Sequence, residues 1–270
     1  MPKQLFTPSS IPKDFALEAA RGNIGGITAI NKFGRNPDID QAASATAVNL
    51  GRSVWDGGIA GAANWVEPTT ARTHQIVSTD ADDDTDGGGT NAGARTVEIF
   101  GLDSAYARQS ETVTLNGTSN VATANTYTMV HRMVVRSAGA TGYNEGDITA
   151  TADTDGTVTA KITATFSQTL MAIYMIPAGE TGYMTSWKAE LHKAGGDATY
   201  ADVFLMSKAF GEVWRIRDID ALSSDGGGHV QQPYNPYKTF QAKELIMVIA
   251  NPSKDGQDMS AGFDLICAPA

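Results

Sequence analysis

From about residue 70 onward, apolar and polar residues alternate with a period of two, and this periodicity restricts what the chain can fold into. In "TYTMVHRMVVR" (126–136), alternate residues belong to opposite faces, as expected of a half-buried strand. Gly, Asp and Asn interrupt these runs, and helical periodicity is nearly absent. The sequence therefore predicts an all-β body over residues 71–270.

Turn residues divide the predicted body into hairpins. Asp155-Gly156 stands between two alternating runs, and Asp-Gly favours the positive φ angles of a two-residue hairpin turn. Uninterrupted apolar runs at 170–176 and 244–250 predict fully buried strands. Roughly ten to twelve short strands at spacings of about 8 to 12 residues favour a β-sandwich or jelly roll, built as one body or as two sub-sandwiches divided near residue 167.

The first 70 residues have a different composition, rich in Gly, Asn and Ala with isolated large apolar residues. Such a segment buries too little apolar surface to offset the entropy lost when it becomes ordered. We therefore predict an extended Gly-rich N-terminal arm over residues 1–70, with a short helix around 13–21, that orders against a neighbouring subunit. Deletion of the whole arm is then expected to leave the β-body folded.

The large aromatic residues are divided between the arm and the body. Phe33, Trp55 and Trp65 lie in the arm and are predicted to anchor an interface, because Trp is enriched at buried contact points between proteins. Trp187 and Trp214 lie in predicted strands and are interpreted as core residues. A sugar-stacking platform is the alternative function for any of these aromatic residues.

An acidic stretch, "DDDTDGGGTNAG" (82–93), matches half of a calcium-binding loop. Asp82, Asp84 and Asp86 have the spacing of three carboxylate ligands, and a glycine follows them. The position that carries a bidentate Glu in that loop is Gly93, and both flanks are predicted strands rather than helices. We interpret the stretch as a solvated loop, with a weak Ca²⁺ or Mg²⁺ site as the alternative. No other cofactor is predicted.

No catalytic motif stands out in the sequence, and the prediction is that the protein is not an enzyme. The four histidines are far apart and none belongs to H-x-x-x-H or H-E-x-x-H, while no Ser lies in G-x-S-x-G. Glycines 87–89 are not followed by the Lys-Ser/Thr of a phosphate-binding loop. Cys267 is the only cysteine, which excludes an intrachain disulfide and a cysteine-based zinc cluster.

Charge and hydropathy exclude further classes of protein. The net charge is -10 with a pI near 4.8, and the 20 basic residues are scattered, whereas nucleic-acid binding needs clustered Lys and Arg. The apolar runs are far shorter than the roughly 20 residues that cross a bilayer. Pro and acidic residues occupy the N-terminal region where a signal peptide has its apolar segment, so we expect the chain to stay in the cytoplasm where it is made.

Six segments together resemble a family of virion structural proteins of marine and aquatic tailed bacteriophages. The arm motif "NKFGRNPDID" followed by "VWDGG", and the strand pair "GLD" to "ETVTLNG", are the most specific of them, and the resemblance extends over most of the chain. The segments are "GNIGGITAINKFGRNPDID", "VWDGG", "GARTVEIFGLDSAYARQSETVTLNG", "MVHRMVVRSAGATGYNEGDITAT", "AFGEVWRIRD" and "SAGFDLI".

The resemblance implies a component of the phage particle, assembled in the host cytoplasm with other virion proteins, and it carries over no catalytic residue. Two locations follow from it. One is the head surface, as a decoration, cement or knob-like protein held by its arm. The other is the tail, as a tail- or fibre-associated homo-oligomer, such as a trimer, that touches a host glycan. A carbohydrate-binding module and a β-sandwich hydrolase are non-viral alternatives without positive support in the sequence.

Overall fold

The computed structural model describes residues 18, 24–41, 51–57, 64–85, 89–192, 199–225 and 228–270. The fold is all-β, which confirms the predicted fold class. The strands are β1 (Thr28–Ile39), β2 (Arg52–Ser53), β3 (His74–Ser78), β4 (Ala94–Leu102), β5 (Arg108–Thr114), β6 (Val121–Ala122), β7 (Met129–Ala138), β8 (Ile148–Ala152), β9 (Val158–Ile162), β10 (Ile173–Met175), β11 (Glu180–His192), β12 (Tyr200–Lys208), β13 (Trp214–Ser223), β14 (His229–Phe240), β15 (Leu245–Pro252) and β16 (Gln257–Pro269).

The strands form four antiparallel sheets. The outer sheet has the order β1-β16-β11-β14, and the middle sheet has the order β10-β15-β12-β13 with β2 also paired to β15. The two smaller sheets are β6-β3-β8-β9 and β5-β4-β7. Both smaller sheets come from the sequence before Ile162, and most of the other two sheets comes from the sequence after Ile173, on either side of the predicted division near residue 167.

The central strands of the middle sheet are buried on both faces, and this explains the uninterrupted apolar runs in the sequence. One face packs on the outer sheet and the other packs on the smaller sheets, so successive residues of β12 from Val203 to Ser207 and of β15 from Leu245 to Ala250 are all buried. The face toward the outer sheet carries Val203, Leu205, Ile246 and Val248, which pack with Trp187, Phe263 and Leu265. The face toward the smaller sheets carries Phe204, Met206, Met247 and Ile249, which belong to the same cluster as Ile76, Ile99 and Met133.

Residues 28–39 and 51–57 are part of the body, which corrects the prediction of an arm over 1–70. β1 pairs with β16 from Thr28↔Cys267 to Ile39↔Gln257, and β2 completes the middle sheet. The prediction was wrong there because composition measures what a segment buries alone, whereas β1 is stabilised by a strand more than 200 residues away. Deletion of 1–70 would remove this edge strand. The predicted helix at 13–21 lies, apart from Glu18, outside the described residues.

The Asp155-Gly156 hairpin forms between β8 and β9, but its turn is longer than the predicted two residues. The N–H of Ala152 bonds to the carbonyl of Thr157, and Thr154 and Gly156 have φ angles of 71° and 65°. Asp155 is instead held by Thr69, whose N–H donates to its carboxylate (3.0 Å). A tertiary contact thus holds the middle of this longer turn.

Candidate assembly surface

The acidic stretch folds as a connection whose carboxylates point to different backbone groups. The carboxylate of Asp82 accepts the N–H of Thr90 (2.5 Å), and that of Asp84, which is buried, accepts the N–H of Thr85 (2.5 Å). Asp86, the third predicted ligand, lies outside the described residues. Within the described residues no group of three or more His, Cys, Asp or Glu side chains is placed to hold a metal ion.

Asp83, which the calcium pattern skips, is the residue that organises this connection. Its fully buried carboxylate accepts hydrogen bonds from the hydroxyl of Ser78 (2.6 Å) and the N–H groups of Ala94 (2.7 Å), Glu145 (2.9 Å) and Gly146 (2.9 Å). A Cβ at Gly93 would stand 2.2 Å from the Oδ1 of Asp83. Gly93 is therefore required for packing, at the very position where a calcium loop needs a ligand.

We expect millimolar Ca²⁺ to leave the melting temperature unchanged, because the carboxylates of Asp82 and Asp83 already accept backbone hydrogen bonds. The measurement is a thermal melt with Ca²⁺ and with EDTA, on the wild type and on the Asp82→Asn/Asp84→Asn variant. A Ca²⁺-dependent rise of several degrees in the wild type that is lost in the variant would restore the metal site.

The predicted interface aromatics have two different environments. Trp55 and Trp65 are buried in the chain's own core, where the indole N–H of Trp65 donates to the carbonyl of Thr159 (2.9 Å), so they are not left for a neighbour to cover. Phe33 is 37% exposed on the outer sheet. Its role in an interface stays a prediction.

Lys32 and Asp56 lie in a buried polar seam between β1 and the smaller sheets. The ammonium of Lys32 donates to the carbonyl of His131 on β7 (2.5 Å), and the carboxylate of Asp56 accepts from the N–H of Leu170 (3.3 Å) and the hydroxyl of Thr163 (3.2 Å). Burial lowers the pKa of Lys32 to about 7 and raises the pKa of Asp56 to about 7. Both groups are buried, so the seam affects stability rather than contact with a partner.

An apolar strip along the edge of the middle sheet is the most distinctive exposed surface. We call it the β13 strip: Phe210 (61% exposed), Val213 (72%), Trp214 (38%), Ile216 (48%) and Ile219 (57%). The smaller sheets cover the neighbouring strand β12 but not this edge. Contiguous exposed apolar residues on a soluble body are typical of an interaction site. Trp214 was predicted to be a core residue, and this prediction was wrong.

The register of β13 explains why the apolar side chains share one face. Ile216 pairs with Met206 and Ile219 pairs with Phe204, and both partners point into the core next to the smaller sheets. The register shifts between Leu205 and Met206, so the three-residue step from Ile216 to Ile219 keeps both side chains on one face. The strip is therefore an uncovered continuation of a core-facing surface.

A cavity of about 430 Å³ lies on the other side of the molecule, over the outer sheet. Phe33 borders it, and the exposed side chains of Lys188 and Glu190 project into the same region from β11. An aromatic ring beside polar groups suits a saccharide. The cavity is lined by Phe33, Gly34, Arg35, Leu170, Lys188, Ala189, Glu190, His229, Ser260 and Ala261.

Among the described residues, no helix has the length and apolar character needed to cross a membrane.

Comparison with known proteins gives no family assignment. No protein-family model and no curated protein matches the chain. Among solved structures, similarity is found to VP2 of infectious bursal disease virus in its subviral particle, with 12% identity, a TM-score of 0.19 and coverage of 97% of this chain and 74% of that chain. The Gt strain of the same virus gives 10% identity, a TM-score of 0.18 and coverage of 97% and 75%. These neighbours are viral capsid proteins, but at such TM-scores the likeness carries no argument about this chain.

Proposed function

We propose that this protein is a structural component of a virus particle that works by binding other particle proteins through the β13 strip. The observation that supports this proposal most directly is the strip itself. Its residues Trp214, Ile216 and Ile219 are exposed on a protein with a net charge of -10. Exposed apolar surface of this kind is costly in a free monomer and becomes favourable when a partner buries it. The resemblance to tailed-phage virion proteins supports the same function.

Within the particle, we favour a position on the head surface as a decoration or cement protein. A stack of three layers of sheet is a compact body, and a net negative charge suits a surface that faces solvent. The second candidate is a tail-associated protein that binds a host glycan, which is favoured by the cavity beside Phe33.

Imaging and composition of purified particles test this proposal. We expect the chain to be present in gradient-purified particles and antibody fragments against it to label the head. An Ile216→Asp variant supplied in trans is expected to be excluded from particles, whereas Tyr143→Asp, at an exposed aromatic residue in the loop between β7 and β8, is expected to enter. Absence of the wild-type chain from particles would overturn the proposal, and labelling at the tail would favour the second candidate.

A further inference from the structure

β13 is an open edge of the middle sheet. It pairs with β12 on one side, and no strand of the described chain pairs with it on the other. The N–H groups of Ile219 and Ala221 instead bond to the carboxylates of Asp218 (3.0 Å) and Asp220 (2.8 Å) of the same strand. The carbonyl of Arg217 accepts from the ammonium of Lys238 on β14 (2.6 Å), and among the described residues no strand pairs with the outer edge of this ten-residue strand, so the edge is a template for pairing with a further strand.

The two faces of this edge strand differ in chemistry. Trp214, Ile216 and Ile219 lie on the face that continues the core next to the smaller sheets, opposite Lys208, Met206 and Phe204. Arg215, Asp218 and Asp220 lie on the other face, opposite Ser207, Leu205 and Val203. Arg217, the extra residue of the bulge, belongs to this charged face, since its guanidinium contacts the ring of Phe240 and the carboxylate of Glu244.

The order of residues along β13 is complementary to itself when read in the opposite direction. In "WRIRDIDA" (214–221), the positive charges precede a midpoint between Arg217 and Asp218, and the negative charges follow it. An antiparallel copy placed about that midpoint sets Arg215 opposite Asp220 and Ile216 opposite Ile219. In a regular strand Ile216 and Ile219 could not lie opposite each other on one face of the sheet, because residues three apart point to opposite faces. The bulge removes the conflict by placing Arg217 and Asp218 on the same face.

We propose that β13 of one copy pairs antiparallel with β13 of a second copy about a two-fold axis between Arg217 and Asp218. This inference rests on the proposed function in that it names the partner of the β13 strip as another copy of this chain. The pairing joins two middle sheets into one continuous sheet, and the two apolar strips meet on one of its faces. Opposite charges directly across an antiparallel pair stabilise that register, while like charges oppose it.

The surrounding contacts of the charged residues fit this arrangement. The central charges are held within each copy, because Arg217 donates to Glu244 (2.8 Å) and Asp218 accepts from Lys238 (2.8 Å). Arg215 bonds only to Glu212 on the exposed surface among the described contacts, and Asp220 caps Ala221. When the N–H of Ala221 is donated to the second copy, the carboxylate of Asp220 is released to pair with Arg215 of that copy.

Charge exchange across the two-fold axis tests the pairing, with sedimentation equilibrium as the measurement. Arg215→Asp and Asp220→Arg are each expected to weaken self-association by about tenfold, since each places like charges opposite one another at two symmetric positions. The double variant Arg215→Asp/Asp220→Arg restores both opposite-charge pairs and is expected to recover association to within about twofold of the wild type. High salt should shrink the effect of each single change.

Ile216→Asp and Tyr143→Asp provide the matched pair, since both replace an exposed large side chain, the first in the strip and the second in the loop between β7 and β8. Only Ile216→Asp should abolish association, and far-UV circular dichroism should show that both variants are folded. A monomeric wild type, or a double variant no stronger than the single ones, would overturn the pairing. If the wild-type chain is absent from purified particles, the proposed function alone is wrong. If the chain is present in particles but the charge-exchanged double variant does not recover self-association, the β13 pairing alone is wrong.

Discussion

Replacing Asp83 with Ala is expected to lower the free energy of unfolding by on the order of 4 kcal/mol, because three buried donors and one half-buried donor lose their acceptor together. These donors come from β3, from the start of β4 and from the segment before β8, so the carboxylate joins one smaller sheet to the other. The loss should be cooperative, since a single carboxylate serves donors from three segments of the chain.

Urea denaturation measures this effect, and Asp82→Asn is the control from the same loop. Asp82 is half-buried and its side chain accepts a hydrogen bond from Thr90, so its change should cost less than about 1 kcal/mol. The loss of unfolding free energy for Asp83→Asn should lie between those of the two other variants. The amide keeps one acceptor oxygen, but its NH₂ group faces the N–H and O–H donors. Equal losses of unfolding free energy for Asp82→Asn and Asp83→Ala would contradict the role given to Asp83.

The buried Lys32 should make the protein more stable as the pH rises from about 7 to about 10. Burial, reinforced by the charge of Arg132, lowers the pKa of Lys32 to about 7, so below that pH the folded state holds an unfavourable buried charge. The unfolded state keeps its proton up to a higher pH, and stability therefore rises with pH between the two pKa values. The gain between about pH 7 and 9.5 is expected to be on the order of 3 kcal/mol.

Lys32→Met should remove this rise, with urea denaturation at several pH values as the measurement. Lys188→Met, which changes an exposed lysine of the outer sheet, is the control and should keep the rise. Asp56 acts in the opposite sense: burial raises its pKa to about 7, so its contribution falls as the pH rises from about 4 to 7. Asp56→Asn should remove that fall, and a Lys32→Met profile identical to the wild type would contradict the assignment.

The sequence predicts strands well where the evidence for them is local. Alternation over residues 129–138 and the apolar run that becomes β15 both indicate the observed elements, because side-chain periodicity reports which faces are buried. β1 was assigned to an arm because its partner β16 is remote and its Gly and Asn residues favour no local structure. The Asp155-Gly156 turn was placed correctly, but it is longer than two residues and its Asp155 is held by the remote Thr69, which local sequence does not reveal.

The candidate site was harder to predict because exposure is a tertiary property. Trp55 and Trp214 are both tryptophans in apolar surroundings in the sequence, yet the first is buried and the second lies at an uncovered edge. Nothing in the sequence states where the smaller sheets end. The order of charges from Arg215 to Asp220 was visible from the start, but its meaning depends on a bulge that only the register of β13 reveals.

The pairing of β1 with β16 has a consequence for the timing of folding. Thr28 lies opposite Cys267, so the outer sheet cannot be completed until β16 has left the ribosome. Contacts this distant in sequence slow folding, because a long loop must close before any of them contributes. During synthesis, the hairpins between residues 74 and 162 have all their sheet partners near them in the sequence and should form first. A newly made chain would therefore complete the edge formed by β1 only after β16 has been synthesised.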